Sequence, residues 1–229
     1  MKTTASNLIR WAGVSAMVAG ILFVVVQMIH PPDILSSVAT GAWAIVHYLT
    51  ITMSLLGLLG IAGIYFRQVE EAGWLGLAGF LMLSLFWLAT MAFTFAEAFI
   101  LPLLATDAPE FVEGYLGIFS GTASQINLGA LPAAAPLAGG LYILGGLLLG
   151  IATLRASILP RRAAALLAFA AVSTLASSLL PHPLDRILAV PMGLALVWLG
   201  YALWSERQGE TTTPLPGRGS AQLSRTGTK

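Results

Sequence analysis

Long apolar stretches separated by short connections dominate this chain of 229 residues. A helix needs about 20 mostly apolar residues to cross roughly 30 Å of hydrocarbon. Only 9% of the residues are charged, whereas a soluble domain carries about 25%, so most side chains must contact lipid. The sequence therefore predicts an all-α, polytopic membrane helix bundle with six transmembrane helices, at about 9–29, 43–66, 74–100, 137–157, 162–180 and 186–204.

The positions of lysine and arginine predict the orientation of this bundle. Cytoplasmic connections of membrane proteins carry an excess of both residues. With six spans, ten of the 11 basic residues fall at the N-terminus, in the 67–73 and 155–162 connections or in the C-terminal tail, and only Arg186 falls on the opposite side. We therefore expect both termini in the cytoplasm and a location in the cell inner (plasma) membrane.

Two segments outside the spans have their own character. The outer loop 102–136 contains "PEFVEGYLGIF", in which large apolar residues recur at helical spacing, so we expect a short amphipathic helix on the outer membrane surface. The tail 205–229 is polar and rich in Pro, Gly and Thr. It cannot bury enough apolar surface to fold, which predicts a disordered cytoplasmic tail after a transmembrane domain at 1–204.

Small residues recur at four-residue steps inside several spans, where they allow helix backbones to approach closely. Span one carries Ala12, Ala16 and Gly20, and span four carries Gly146 and Gly150. The first interpretation is close packing within one bundle. The alternative is a homodimer through the face of Gly146 and Gly150.

A histidine and a glutamate are the candidate chemical groups inside the spans. His47 lies about one turn into span two, and Glu97 lies about one turn before the end of span three. Consecutive antiparallel helices place them at similar depth, so a hydrogen bond between them is geometrically plausible. A carboxylate near hydrocarbon must be protonated, paired or exposed to water. The pair either joins two helices structurally or forms a metal, proton or ligand site that opens outward.

The tetrapeptides "HPPD", from His30, and "HPLD", from His182, each follow an apolar run on the outer side. Proline ends a helix at the residue before it, and aspartate is a preferred N-cap. Helix capping is therefore sufficient to explain both copies. The functional alternative adds their residues to His47 and Glu97. Because imidazole and carboxylate bind Zn²⁺, the metal-ligand candidates are His47, Glu97, His30, His182, Asp33 and Asp185.

Several classes of chemistry find no support in the sequence. The chain contains no cysteine, which excludes disulfides, thiolate metal sites and cysteine nucleophiles. Its basic residues do not cluster as in nucleic-acid-binding proteins, and no G-x-S-x-G elbow is present. The histidines do not follow the short spacing of HExxH zinc sites. Ionisable residues near the midplane, which are typical of transporters, are also missing.

The chain resembles a group of uncharacterised bacterial six-helix integral membrane proteins with no established activity. The resemblance rests on "IHPPD", "WAIVHYL", "EAFILPLL", "LGGLLLGIATLRASILPRRAAALL" and "GLALVWLGYALW", and it covers most of the chain except the outer loop and the tail. It implies architecture and not chemistry. It also places His47 and Glu97 inside the resembling segments.

Two hypotheses of function follow. The first is a non-enzymatic helper, regulator or interaction protein whose polar residues are structural. The second is an outward-facing metal-dependent or proton-linked site, in a membrane enzyme or an ion-coupled protein, built around His47 and Glu97. Convergence of the outer-side histidines and acids in space distinguishes the second hypothesis from the first.

Overall fold

The computed structural model describes residues 5–180 and 184–205. Within these ranges every regular element is helical, and five helices are long and apolar enough to cross a membrane. His182 and the tail beyond Ser205 lie outside the described residues. In chain order the elements are α1 (Ala5–Ile29), α2 (Leu35–Val38), α3 (Gly41–Phe66), α4 (Val69–Phe95), a π-helix (Ala96–Ile100), α5 (Leu101–Leu104), α6 (Pro109–Ser120), a 3₁₀ turn (Leu131–Ala133), α7 (Ala134–Ala156), α8 (Arg161–Ser173), two 3₁₀ segments (Thr174–Leu179 and Leu184–Leu188) and α9 (Ala189–Ser205).

The fifth predicted span differs from the others. Its α-helix, α8, has only 13 residues and then narrows into the 3₁₀ segment Thr174–Leu179. The hydroxyls of Ser173 and Thr174 donate to the carbonyls of Ala170 and Ala171, three residues earlier, at 2.9 and 2.7 Å. Such local bonds compete with the regular helical pattern. The fifth predicted span is therefore not among the five helices that are long enough to cross a membrane.

The long helices form a ring. Helix α1 packs against α3 and α9, α4 packs against α3 and α7, and α8 closes the ring between α7 and α9. Consecutive helices are therefore neighbours, as short connections require. The ring surrounds one large apolar core, whose fully buried members include Ile61, Leu83, Trp87, Leu149, Leu167 and Leu196.

Small residues bring neighbouring helices into backbone contact. A Cβ atom added to Gly13 would lie 2.7 Å from the Gly200 carbonyl oxygen, which shows how closely α1 and α9 approach. On α7, a Cβ atom at Gly146 would lie 2.7 Å from the Ala171 Cβ, and one at Gly150 would lie 2.7 Å from the Ala168 amide nitrogen. The face of α7 considered for a homodimer is thus occupied by α8 of the same chain.

The connection 102–136, which the sequence predicts on the outer side, contains the helix α6. The end of the bundle that carries this connection is called the outer end after that prediction. Its apolar residues Val112, Tyr115 and Leu116 are buried with Trp43 and Leu101 in a second apolar cluster. This apolar face therefore packs against the outer ends of α3 and α5, and not only against a membrane surface as the amphipathic pattern suggested. The outer end of the bundle is covered on this side by protein.

Replacing Gly150 tests the close packing of α7 on α8. We expect Gly150→Ala to lower the free energy of unfolding by about 1–3 kcal/mol, because overpacking forces backbone shifts. Gly140→Ala is the matched control, because a Cβ there meets no atom within 4 Å and alanine is the better helix former. Thermal unfolding of the purified protein in detergent measures both changes. Equal unfolding temperatures for Gly150→Ala and Gly140→Ala would contradict the close packing of α7 on α8.

Candidate functional site

A cavity of about 330 Å³ lies at the outer end of the bundle, within the size range of small-molecule sites. Its walls come from α1, α3, α4, α6 and α7, together with the segments that precede α2 and α9. Most of the wall is apolar and aromatic. The ionisable residues that line it are His30, Asp33, His47, Glu97 and Arg186.

The start of α3 fixes the position of His47. The Thr40 hydroxyl caps the helix by accepting a hydrogen bond from the Trp43 amide at 3.2 Å. His47 lies one turn after Trp43, and its Nδ1 donates to the Trp43 carbonyl oxygen at 2.7 Å. A carbonyl only accepts, so Nδ1 carries a proton and Nε2 of the neutral ring presents a lone pair. The residue is 1% exposed and stacks on the Trp43 ring at 4.0 Å.

Glu97 lies in the π-helix that interrupts span three. Here the Leu101 amide donates to the Ala96 carbonyl, one residue further back than in an α-helix. The next residue, Pro102, has no amide proton, so the Glu97 carbonyl loses both of its usual backbone donors. The indole N–H of Trp43 donates to this carbonyl at 2.9 Å. Single-turn π-helices often occur at functional sites.

The side chains of His47 and Glu97 face each other. His47 Nε2 lies 3.4 Å from Glu97 Oε2, but this approach does not meet hydrogen-bond geometry, and Nε2 has no other partner among the described residues. The Glu97 side chain is 16% exposed, so neither group extends into bulk solvent. A lone pair opposite a carboxylate is repulsive unless a positive charge or a proton lies between them. The pair of His47 and Glu97 is therefore suited to accept a proton or a cation.

His30 has the same backbone anchoring as His47. Its Nδ1 donates to the Pro31 carbonyl at 2.7 Å, and its ring lies 5.3 Å from the His47 ring. Burial lowers the pKa of His30, which favours the neutral ring. The Asp33 carboxylate lies 3.7 Å from His30 Nδ1. Asp33 does not cap the next helix, because the N-cap of α2 is Ile34, so the capping interpretation holds for the end of α1 and is wrong for the start of α2.

Arg186 satisfies the end of α1. One guanidinium nitrogen donates to the carbonyls of Gln27 and His30, at 3.3 and 3.4 Å. The last carbonyls of a helix have no partners within the helix, and α1 has no basic residue in its last turn. Arg186, in the segment before α9, therefore supplies the hydrogen-bond donors that the end of α1 lacks. The same side chain also lines the cavity.

Four of the six predicted ligand residues line this one cavity: His47, Glu97, His30 and Asp33. His182 and the side chain of Asp185 lie outside the described part, although the Asp185 backbone belongs to a 3₁₀ segment and not to an N-cap. Among the described residues, no three histidine or acidic side chains are placed to share a metal ion. Four of the candidate side chains therefore converge on one cavity, and the described ones do not by themselves form a group of three that could hold a metal ion.

Sequence reasoning missed two contributors to the site. Trp43 was not among the predicted site residues, and Arg186 was considered only as the single basic residue on the predicted outer side. The π-helix was also not predicted. The sequence contained one signal for this irregularity, namely Pro102, five residues after Glu97. Because proline has no N–H, it cannot supply the donor that a π-helical turn would offer to the Glu97 carbonyl.

No family profile, curated protein or solved structure matches this chain.

Removing the Trp43 indole donor tests how the π-helix is held. We expect Trp43→Phe to lower the free energy of unfolding by about 1–3 kcal/mol, because a buried carbonyl loses its partner. Pro102→Ala restores a backbone N–H next to this carbonyl, so the double variant should lose less than the sum of the single changes. Thermal unfolding in detergent measures the cycle. Trp74→Phe is the control, because Trp74 is 85% exposed. Strict additivity of the Trp43→Phe and Pro102→Ala changes in unfolding free energy would contradict the hydrogen bond between the Trp43 indole and the Glu97 carbonyl.

Proposed function

We propose that this chain is a non-enzymatic, six-span protein of the bacterial inner membrane, with both termini in the cytoplasm, that binds a small organic ammonium ion on its outer side in exchange for a proton. The observation that carries this proposal is the facing pair of His47 Nε2 and Glu97 Oε2, at 3.4 Å, inside a cavity of about 330 Å³.

The distribution of basic residues supports the orientation. Arg155 and Arg161 flank the connection between α7 and α8, and Arg67 follows α3, so all three share one end of the bundle. The Arg10 guanidinium lies 5.4 Å from the centre of the Trp204 ring, which brings the beginning of α1 and the end of α9 to that end as well. The excess of arginine at this end supports a cytoplasmic location for it.

Helix lengths support the sixth span. The 13 residues of α8 rise about 20 Å at 1.5 Å per residue. The six residues of the 3₁₀ segment that follows add about 12 Å at 2.0 Å per residue. Together they reach the roughly 30 Å of a hydrocarbon core, although no single α-helix does so here.

Single cysteines test this topology, because the natural chain contains none. We expect Thr122→Cys, beyond α6, to react with a membrane-impermeant maleimide added to intact cells. Ser157→Cys, between α7 and α8, should react only after the membrane is opened. Both positions are exposed, so accessibility does not bias the comparison. Labelling of Ser157→Cys in intact cells would contradict the orientation.

The chemistry of the pair supports exchange of a cation for a proton. Because Nδ1 of His47 donates to the Trp43 carbonyl, only Nε2 can take part in binding. Without a ligand, one proton between Nε2 and the Glu97 carboxyl removes their repulsion. An ammonium ion offers N–H donors to both groups and carries the same charge, so it replaces that proton. The released proton passes to the outer water.

The surroundings of His47 also favour a cation. Among the described residues, the charged or titratable groups that face it are Glu97 from the π-helix, His30 and Asp33 from the segment after α1, and Arg186 from the segment before α9. Tyr115 of α6 lies close to Glu97, and its hydroxyl donates to the Phe93 carbonyl at 3.1 Å. Burial and the Glu97 charge raise the pKa of Tyr115, which keeps this hydroxyl protonated.

Binding of propylammonium tests the exchange. Because the proton and propylammonium compete for the same pair of groups, propylammonium binding should weaken by up to about tenfold for each unit by which the pH falls. One proton should be released for each cation bound. Calorimetry in two buffers of different ionisation enthalpy counts that proton. We expect Glu97→Gln and His47→Gln each to weaken binding by about tenfold or more and to abolish the proton release.

Asp107→Asn is the matched control for these variants, because Asp107 is an exposed acid of the outer side that lies outside the cavity. It should bind like the natural protein. Propylammonium binding that is unchanged in both Glu97→Gln and His47→Gln contradicts the site. Binding without proton release contradicts the exchange.

A further inference from the structure

A second cavity, of about 490 Å³, adjoins the first. The two cavities share a set of lining residues, namely Phe23, Gln27, Phe86, Phe119, Ala138 and Arg186. Arg186 therefore lies where the cavities meet, with the His47 and Glu97 pair on one side. A ligand could place one part of its structure in each cavity.

The second cavity opens toward the side of the bundle. Its lining includes residues of α7 and of the 3₁₀ segments Thr174–Leu179 and Leu184–Leu188. The apolar residues along these segments are turned outward: Leu175 is 62% exposed, Leu179 is 82% exposed and Ile187 is 59% exposed. Exposed leucine and isoleucine at the outer end of a membrane bundle contact lipid, so the side opening faces the outer leaflet.

Two polar groups mark the inner part of this passage. Tyr142 lines the second cavity, the residue is 6% exposed, and its buried hydroxyl has no partner among the described residues. A buried hydroxyl without a partner costs about 1–3 kcal/mol, so it favours a ligand with an acceptor oxygen. Arg186, at the junction, favours an anion such as a phosphate.

We infer that the occupant is an aminophospholipid that enters from the outer leaflet, which rests on the proposed ammonium site. Its ammonium group donates to both His47 Nε2 and the Glu97 carboxylate, its phosphate contacts Arg186, and its ester oxygens accept from Tyr142. The apolar chains lie in the second cavity and continue into the bilayer. Each charge of this zwitterion meets the opposite charge in the protein.

The same chemistry excludes related lipids. A phosphatidylcholine head has no N–H to donate to Nε2 or to the carboxylate. A phosphatidylglycerol head has no cation and would bring its phosphate to a cavity that contains two carboxyl groups and one guanidinium. Free phosphoethanolamine carries both charges but lacks the chains that fill the second cavity.

Native mass spectrometry of the full chain in detergent, with added lipids of one head group at a time, tests this selectivity. We expect phosphatidylethanolamine adducts to persist at about tenfold lower lipid concentration than adducts of phosphatidylglycerol or phosphatidylcholine. Phosphoethanolamine, measured by calorimetry, should bind at least about tenfold more weakly than the whole lipid. Equal retention of the three lipids would overturn the inference.

Two glycines of α7 provide a matched pair for the side opening. Gly139 lines the second cavity, whereas Gly140 lines neither cavity, and an added Cβ meets no atom within 4 Å at either position. Gly139→Leu should therefore weaken phosphatidylethanolamine binding by about tenfold without harming the fold, and Gly140→Leu should not. Propylammonium binding should be the same in both variants. Equal lipid binding by the two variants would overturn the proposed route.

The outcomes separate this inference from the proposed function. If propylammonium binding depends on His47 and Glu97 but lipid retention shows no preference and no response to Arg186→Gln, only the lipid inference fails. If neither propylammonium nor phosphatidylethanolamine binding responds to Glu97→Gln, the proposed function itself fails. Loss of phosphatidylethanolamine adducts in both Glu97→Gln and Arg186→Gln supports both.

Discussion

The hydrogen bond from the Trp43 indole to the Glu97 carbonyl is the constraint on which the outer end of this protein depends. Pro102 has no N–H, and the Leu101 amide is shifted to the Ala96 carbonyl, so the Glu97 carbonyl needs a donor from another helix. In a medium without water, an unpaired carbonyl is costly. Trp43 meets this need and thereby ties the start of α3 to the end of span three. Because His47 lies one turn beyond Trp43, the same bond sets the depth at which His47 meets Glu97.

The bundle combines a closely packed part with an open outer end. Where glycine and alanine line the contacts, as between α1 and α9 or between α7 and α8, the backbones approach so closely that an added methyl group would clash. At the outer end, large aromatic side chains replace the small residues, and α8 ends before its neighbours do. The helices cannot fill this space, so the cavities form here. The polar groups of the site lie where helix packing leaves room for a ligand.

Both histidines of the described site use the same chemical arrangement. In each ring, Nδ1 donates to a backbone carbonyl, of Trp43 for His47 and of Pro31 for His30. This fixes which nitrogen remains basic, just as a hydrogen bond from the other ring nitrogen does for metal-binding histidines. Among the described residues, these basic nitrogens and the nearby carboxylates do not form a group of three that could share a metal ion. A proton or an ammonium group needs only the two acceptors that His47 and Glu97 provide, which is why the proposed ligand is a cation with N–H donors.

The sequence by itself determined the helical class, the approximate limits of the long helices and the position of His30, Asp33, His47 and Glu97 at one end of the bundle, because hydrophobic length and proline placement act locally. It also placed His47 and Glu97 at similar depth, since consecutive spans run antiparallel. Only the tertiary structure decided that His30 and Asp33 join them, that Arg186 closes the end of α1, and that α8 covers Gly146 and Gly150. These facts depend on the order of helices around the ring and on the rotation of each helix. Apolar spans carry little periodic signal for that rotation, because lipid and protein interior are equally apolar.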